Sequence, residues 1–201
     1  YALAYAGDGT HGYIKTFTIP ADGSSITKVD SLEHDTEYGD HNSFVKVDDD
    51  TYALAYNGGK NTVGNSTYSG DPYIKTFTIP ADGSSITEVA LLKHEGNLAS
   101  EDKAKIAAWY NSLIKMNDDT FLLAYFSRIS GFWGSVGDGS KGKLKTFTIS
   151  SDGLTITQID SLEYDSDGAE YNSLVKVDDD TYALAYDNGD GVVATFSISA
   201  D

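Results

Sequence analysis

Residues 13–27 read YIKTFTIPADGSSIT, and residues 73–87 repeat these letters without a change. A second motif is equally well preserved, because residues 45–56 and residues 175–186 both read VKVDDDTYALAY. A third copy of the first motif reads LKTFTISSDGLTIT over residues 144–157. Internal similarity at such spacings is the signature of a repeat architecture. The chain is therefore built from copies of one unit.

The unit contains four segments that have the composition of β-strands. In the first copy these segments are YALAY, YIKTFTI, ITKVDSLEH and SFVKV. Asp-Gly pairs at residues 22–23, 82–83 and 152–153 predict tight turns between two of them. The copies predict a single domain over residues 1–201, divided into repeats 1–51, 52–120, 121–181 and a partial repeat 182–201.

Four short strands per repeat predict an all-β fold, a β-propeller of about 3.5 four-stranded repeats. In YALAY, Tyr1, Leu3 and Tyr5 share one face while Ala2 and Ala4 share the other, because side chains alternate along a strand. A face of large side chains opposite a face of small ones suits sheets that stack on both sides. A β-solenoid and a β-sandwich are the alternatives.

The order of the motifs resembles the blade topology of WD40-type propellers. VKV stands at the inner strand, YALAY at the second, YIKTFTI at the third and ITKVDSLEH at the outer strand. The Gly-His and Trp-Asp dipeptides of that family are absent from the sequence, so the resemblance is one of topology. The repeat also resembles uncharacterised propeller arrays in secreted proteins of marine microbes, which implies an extracellular or cell-surface location.

Counting predicts fourteen strands, beginning at a second strand and ending at a third. The first blade would then lack its inner strand and the last blade its outer strand. Because unpaired strand edges pair readily with other chains, we expect an arc that is completed in a homo-oligomer or belongs to a longer chain. A compact four-bladed ring is the third possibility.

The composition excludes several classes of partner. The formal net charge is −17, and so acidic a surface repels nucleic acid and anionic lipid. No run of apolar residues is long enough to span a membrane, so we expect no membrane insertion. The sequence contains no cysteine, which rules out disulfides and thiolate metal sites. No cofactor motif is present, and we expect none to be bound.

The connections at one end of the predicted sheets are nearly constant, whereas those at the other end vary greatly in length. Binding residues are concentrated on variable loops above a rigid scaffold, so the variable end is the predicted ligand face. Residues 100–110, SEDKAKIAAWY, are predicted to form a short helix there. The predicted ligand-binding residues of this face are Trp109, Tyr110, Phe132, Trp133 and Tyr68, since aromatic rings suit sugars and protein anchors.

Asn-Ser pairs recur where each predicted inner strand begins. Asn42, Asn111 and Asn172 could line the mouth of a central channel and bind a polar ligand, or could satisfy backbone groups as strand caps. Glu33, Glu163, Asp35 and Asp165 end the predicted outer strands; a pair of such carboxylates can hydrolyse glycosides, but their repetition favours a structural role. Whether a metal binds is left open.

These observations favour a non-catalytic, extracellular module that contacts a glycan or a surface protein through its variable face. One alternative is an architectural repeat of a large adhesin or fibre. The other is a glycan hydrolase or lyase that uses loop carboxylates. The sequence assigns no catalytic residue.

Overall fold

The structure is a computed structural model that describes residues 1–63, 66–95, 105–130 and 140–199. These residues are all-β, apart from a short 3₁₀ turn at Asp8–Thr10. The strands of the described residues are, in chain order, β1 (Ala2–Ala6), β2 (Gly12–Thr18), β3 (Thr27–Asp35), β4 (Gly39–Lys46), β5 (Thr51–Val63), β6 (Ser66–Thr78), β7 (Thr87–Lys93), β8 (Lys105–Lys115), β9 (Thr120–Ser130), β10 (Lys141–Ile149), β11 (Ile156–Asp165), β12 (Glu170–Lys176), β13 (Thr181–Asp187) and β14 (Gly191–Ser197).

These strands form four antiparallel sheets, which are the blades of a propeller-like fold. Sheet 1 has the order β1-β2-β3, sheet 2 β4-β5-β6-β7, sheet 3 β8-β9-β10-β11 and sheet 4 β12-β13-β14. In the described residues, sheet 1 has no inner strand and sheet 4 has no outer strand. The all-β propeller expected from the repeats is confirmed.

The core lies between neighbouring sheets, where large side chains of one meet small side chains of the next. Ala53 and Ala55 of sheet 2 pack in one cluster with Phe121, Leu123 and Tyr125 of sheet 3. In the same way, Ala2 and Ala4 of sheet 1 pack against Leu54 and Tyr56 of sheet 2. The alternation of YALAY therefore does produce stacked sheets.

The inner strands β4, β8 and β12 lie side by side and are joined by the serines of the Asn-Ser pairs. The Leu113 N–H donates to Ser43 Oγ at 2.8 Å, and the Leu174 N–H donates to Ser112 Oγ at 3.0 Å. Each hydroxyl thus satisfies a backbone donor of the next blade. These bonds hold the starts of the three inner strands in register.

The outward faces of sheets 1 and 4 do not pack against each other. Leu3 of sheet 1 is 53% exposed, and Val193 of sheet 4 is 75% exposed. Ile14 and Ile74, which stand at the position of Val193 in sheets 1 and 2, are completely buried. The four sheets therefore form an arc, as expected from the strand count.

The predicted helix over residues 100–110 is wrong for the part that the structure describes. Residues 105–110 belong to β8, which pairs with β9 through contacts such as Ile106 with Ile129 and Ala108 with Ser127. Pairing with β9 outweighs the helix propensity of the alanines and lysines. The backbone N–H and C=O groups of β8 form hydrogen bonds with β9 in place of the bonds they would make within a helix. Residues 100–104 lie outside the described residues. No helix of the described chain has the length and hydropathy needed to cross a membrane.

Candidate functional site

The inner strands share an irregularity at the variable end of the sheets. β4, β8 and β12 each carry a bulge in which two residues oppose one on the neighbouring strand. The first of the two is His41, Tyr110 or Tyr171, with φ angles of 52°, 54° and 55°. Left-handed backbone is uncommon for residues other than glycine, although asparagine, aspartate and histidine adopt it more often than the rest, so the conformation is most costly at Tyr110 and Tyr171. Left-handed backbone outliers of this kind support the hypothesis that the bulges form a functional site.

The three bulges direct three rings toward one another. The ring centroids of His41 and Tyr110 lie 4.9 Å apart, and those of Tyr110 and Tyr171 lie 4.5 Å apart. We call His41, Tyr110 and Tyr171 the aromatic row. Bulges re-aim side chains, and here they place rings from three different blades in one continuous surface. Tyr171 forms its open end, with 65% of the residue exposed.

Trp109 and Arg128 flank the row beside His41. The Trp109 ring stacks on His41 at 5.1 Å between centroids, with an angle of 22° between the ring planes. The Arg128 guanidinium carbon lies 4.0 Å from the centre of the Trp109 ring, a cation–π contact. The Trp109 ring therefore contacts both the His41 imidazole and the Arg128 guanidinium.

Two carboxylates border the row, Asp40 beside His41 and Glu170 beside Tyr110. Asp40 Oδ2 lies 4.0 Å from His41 Nε2, while its other oxygen accepts a hydrogen bond from Asn57 Nδ2 at 3.0 Å. The Tyr110 hydroxyl donates to Glu170 Oε2 at 3.4 Å. The row therefore combines a titratable ring with an acidic group at each side.

Burial shifts the pKa values of two members of the row, His41 and Tyr110. Desolvation lowers the pKa of His41, although the negative charge of Asp40 acts in the opposite direction. His41 is therefore neutral near pH 7 and has a lone pair that can accept a proton. Desolvation raises the pKa of Tyr110 to about 12, with its hydrogen bonds to Tyr171 and Glu170 adding to the effect. Tyr110 remains a protonated donor.

The predicted asparagines stabilise the bulges. Nδ2 of Asn42 donates to the Gly39 carbonyl at 2.6 Å, and Nδ2 of Asn172 donates to the Ala169 carbonyl at 2.9 Å. Asn111 donates both to the Ala108 carbonyl at 3.2 Å and to the His41 carbonyl at 2.9 Å. These contacts match the strand-cap alternative; whether the same amides contact a ligand stays a prediction.

The predicted aromatic residues do not all meet. Trp109 and Tyr110 lie at the row, as a pair of adjacent residues on β8. Tyr68 lies in β6, where only its strand pairing with Asn61 is described. Phe132 and Trp133 lie outside the described residues.

Sequence reasoning missed His41 and Tyr171. Both stand immediately before an Asn-Ser pair, as Tyr110 does, so a ring preceding Asn-Ser is the signal that could have identified them. The signal was weak because the left-handed conformation that makes the position special is visible only in the folded chain.

The carboxylates that end the outer strands take part in local contacts. Glu33 lies 2.5 Å from His11 Nδ1, and Glu163 pairs with Lys141 at 2.6 Å. Asp35 accepts backbone N–H groups of Glu37 and Tyr38, each at 3.0 Å. Within the described ranges there is no group of three or more histidine, aspartate or glutamate side chains arranged to hold a metal ion.

Comparisons with known proteins give a fold but no family. No family model and no curated protein matches the sequence. The chain is similar to a solved structure from Bacteroides fragilis provisionally named a 6-phosphogluconolactonase (11% identity, TM-score 0.44), covering all of this chain and 67% of that one. It is also similar to a periplasmic gluconolactonase of Pseudomonas aeruginosa (13% identity, TM-score 0.39) over 98% of this chain and 66% of that one.

A third structure, from Lactobacillus plantarum, is 12% identical with a TM-score of 0.25, over 98% of this chain and 77% of that one. The chain thus spans about two thirds of the length of the first two structures. At these identities the likeness shows the fold alone.

The expectation of a non-catalytic binding module is corrected by these comparisons. Two of the structures carry the names of lactonases, which are enzymes, and the hydrolase alternative agrees with them better than the binding module does. The sequence does not choose between a binding module and an enzyme, because a propeller carries many functions and its repeats encode the scaffold.

Proposed function

We propose that this chain is a hydrolase that cleaves an ester bond, including that of a lactone, in an uncharged sugar-derived substrate at the aromatic row. The observation that supports the proposal best is the row itself. Three non-glycine residues from three blades adopt left-handed backbone and bring their rings into contact, beside two carboxylates and a guanidinium.

The row has the surface that a sugar ring requires. The exposed Tyr171 ring and the adjoining Tyr110 ring offer apolar faces edged by hydroxyl groups. Sugars bind such faces through their C–H groups, while their hydroxyls bond to neighbouring polar atoms. The net charge of −17 disfavours a phosphorylated substrate, since the protein as a whole repels anions.

His41 is suited to activate water. Its neutral imidazole takes a proton from water, and the resulting hydroxide adds to the ester carbonyl carbon. The nearby Asp40 carboxylate stabilises the imidazolium that forms, as a carboxylate beside a base commonly does. When the carbon–oxygen bond breaks, the imidazolium returns the proton to the departing oxygen. One water is consumed, and an open-chain ester gives an acid and an alcohol, whereas a lactone gives a single hydroxy acid.

Arg128 can stabilise the negative charge that develops on the carbonyl oxygen. Its guanidinium stays charged at every pH of interest, and it lies against the Trp109 ring, which also stacks on His41. A positive group placed in advance next to the reacting carbon lowers the barrier, because no reorganisation is needed during the reaction.

The test is a substrate panel of sugar lactones, aryl esters and aryl glycosides, assayed with the wild-type chain and with His41→Asn. Asparagine tolerates left-handed backbone, so this variant removes the base without adding strain. We expect ester or lactone hydrolysis, reduced by about 100-fold in H41N. His11→Asn is the matched control, because His11 lies outside the row and contacts Glu33.

Two results would overturn the proposal. One is the absence of hydrolysis of every ester and lactone. The other is an equal loss of rate in H41N and H11N. Turnover of aryl glycosides alone, abolished by D40N and E170Q, would replace the esterase mechanism by the carboxylate-pair alternative.

A further inference from the structure

A pair of facing residues at the variable end of sheet 2 differs from its counterpart in sheet 3. In sheet 2, Asp40 of β4 stands opposite Asn57 of β5, whereas in sheet 3 the same two positions hold Trp109 and Phe126. Phe126 is buried, with 5% of the residue exposed. The scaffold of a blade therefore accepts an aromatic pair at these positions, and the polar pair of sheet 2 is not required by the fold.

Asn57 is buried in a place where polar groups are costly. Its side chain lies on the same face of β5 as Ala53 and Ala55, because side chains alternate along a strand, and all three residues are 0% exposed. The two alanines belong to the cluster between sheets 2 and 3. Within the described residues, Oδ1 of Asn57 has no hydrogen-bond partner. A buried acceptor without a partner destabilises the folded state, so this amide is a poor choice for stability alone.

The amide of Asn57 orients the Asp40 carboxylate. Nδ2 of Asn57 donates to Asp40 Oδ1 at 3.0 Å, and Asp40 Oδ2 lies 4.0 Å from His41 Nε2. A hydrogen bond to one oxygen limits the rotation of the carboxylate, so the other oxygen stays on the side of the imidazole. Such a bond is most effective when its donor is itself fixed by packing, and Asn57 is completely enclosed on a strand that is paired on both sides.

Three departures from the repeat coincide in sheet 2. The positions of Asp40, His41 and Asn57 hold other residues in the other copies of the unit. The repeat encodes the scaffold, and a protein departs from the rules of its scaffold mainly at functional sites. The joint change of these three neighbours therefore indicates that they act together.

We propose that Asn57 is a positioning residue, which fixes the Asp40 carboxylate beside His41 and so stabilises the imidazolium that forms there during hydrolysis. The inference rests on the proposed function, since it assigns to Asn57 a part in the reaction at the aromatic row. Asn57 does not touch the substrate, because its side chain is completely buried. Its loss should therefore lower kcat and leave KM nearly unchanged.

The protonation of His41 provides a readout that does not depend on hydrolysis. The negative charge of Asp40 raises the pKa of His41, against the lowering effect of burial. Trp109 and Tyr110 of β8 also contact the imidazole, and neither ring is charged near pH 7. Arg128 of β9 lies against Trp109 and is the same in every variant below. A carboxylate that turns away from the imidazole should therefore lower the pKa of His41.

Asn57→Leu tests the proposal, because leucine has nearly the size of asparagine and donates no hydrogen bond. Phe126 occupies the same position in sheet 3, and the Asp40 side chain is 28% exposed, so that water can replace the lost bond. N57L should therefore unfold at the same urea concentration as the wild type or at a higher one.

The titration of His41 is followed by NMR of its Cε1–H group, whose signal is assigned by its loss in H41N. We expect a lower His41 pKa in N57L than in the wild type. For the best substrate of the panel, kcat should fall by about 10-fold to 100-fold, as a misplaced catalytic group commonly causes. Asn57→Ala, the residue of sheet 1 at this position, should lower the pKa of His41 in the same way, so the result does not depend on how leucine packs.

Two further variants show whether Asn57 acts through Asp40. In the background of D40N, the change N57L should alter kcat by less than about twofold, because the charge that Asn57 positions is already absent. Asn188→Leu is the matched control. It breaks another hydrogen bond between an asparagine and an aspartate, of 2.9 Å to Asp165, which is not part of the aromatic row. N188L should leave kcat and the pKa of His41 unchanged.

Two results would overturn the proposal. One is an unchanged or raised His41 pKa in both N57L and N57A. The other is a loss of kcat from N57L that is as large in the D40N background as in the wild type. If no substrate of the panel is hydrolysed, the proposed function fails, and the titration of His41 still decides whether Asn57 positions the Asp40 carboxylate.

Discussion

The Tyr164 hydroxyl donates a hydrogen bond to Asn172 Oδ1 across the boundary between sheets 3 and 4, at 2.5 Å. The Tyr164 ring packs edge-on against Tyr186, 5.1 Å between centroids. In this way a side chain of the outer strand fixes the amide that holds the bulge beneath Tyr171. The same repeat position holds His34 in sheet 1 and His94 in sheet 2.

His34 and His94 keep the packing but not the hydrogen bond. His34 packs edge-on against Tyr56 and His94 against Tyr125, at 4.8 and 5.1 Å between centroids. Within the described residues, the ring nitrogens of both histidines are buried without a hydrogen-bond partner, and so are Oδ1 of Asn42 and of Asn111. The imidazole is shorter than a phenol and does not reach the amide.

Replacing either histidine by the tyrosine of the third copy should therefore stabilise the protein. We expect His34→Tyr and His94→Tyr each to raise the free energy of unfolding by about 1 kcal/mol, through a hydrogen bond to Asn42 or Asn111. Urea denaturation measures the change. The reverse variant, Tyr164→His, should lower the stability by a similar amount, and a gain in Y164H would contradict the prediction.

Stability should fall on mild acidification because of the same two histidines. Burial lowers the pKa of His34 to about 4 and that of His94 to about 3, and the nearby Lys75 and Lys145 add to the effect. The unfolded chain, with an ordinary histidine pKa of about 6.5, binds more protons than the folded chain below that pH. The folded state therefore loses stability as the pH falls from 6.5 toward 4.

The loss should be on the order of a few kcal/mol for the pair. Denaturation curves recorded from pH 7 to pH 4 measure it. The double variant H34Y/H94Y carries no histidine at these positions, so its stability should change much less over this range. An equal slope in the variant and the wild type would assign the acid sensitivity to other groups.

Lys145 should contribute more to stability than Lys15, although both occupy the same position of the repeat. Lys145 is buried, donates to the His94 carbonyl of the preceding sheet and pairs with Glu95 at 3.3 Å. Lys15 lies over the Tyr5 ring at 5.0 Å. We expect Lys145→Met to cost about 1–3 kcal/mol of unfolding free energy and Lys15→Met less than about 0.5 kcal/mol, measured by the same denaturation experiment. An equal loss of unfolding free energy in the two variants would show that the contact of Lys145 with the preceding sheet does not add to stability.

Tyr171 should lower the stability of the fold and contribute to substrate binding. Its ring is mostly exposed, while its φ of 55° is unfavourable for tyrosine. Asparagine adopts this conformation readily, so Tyr171→Asn should unfold at the same or a higher temperature than the wild type. Hydrolysis of the best substrate of the panel should nevertheless fall, mainly through a higher KM. If Tyr171→Asn unfolded at a lower temperature than the wild type and kept full activity, both the stability prediction and the activity prediction would be wrong.

The outer faces of sheets 1 and 4 should hold two copies of the chain together. Sheet 1 exposes the large Tyr1 and Leu3, and sheet 4 exposes the face that carries Val193; this repeats the large-against-small contact seen between sheets inside the chain. Light scattering should then give a mass above 21.6 kDa for the wild type and a lower mass for Leu3→Asp. Leu91→Asp serves as the control, and a wild-type monomer would contradict the expectation.

The strands and turns of this protein could be predicted from local sequence. YALAY alternates large and small side chains, and the Asp-Gly pairs place a glycine where the backbone turns with φ near 70°, as at Gly83 and Gly153. Both signals act over a few residues, so they can be read without knowing the fold. Because the unit is repeated, the same strand pattern recurs in each copy. The number of strands and their order in the sheets could therefore be predicted.

Residues 105–110 and the aromatic row could not be predicted in this way. The local composition of residues 105–110 favours a helix, and only pairing with β9 makes them a strand. His41 and Tyr110 are 69 residues apart in the sequence, and Tyr110 and Tyr171 are 61 apart. Nothing local indicates that their rings meet or that their backbone is left-handed. Local propensity determined the blades; contacts between blades, which depend on the whole arc, decided the site.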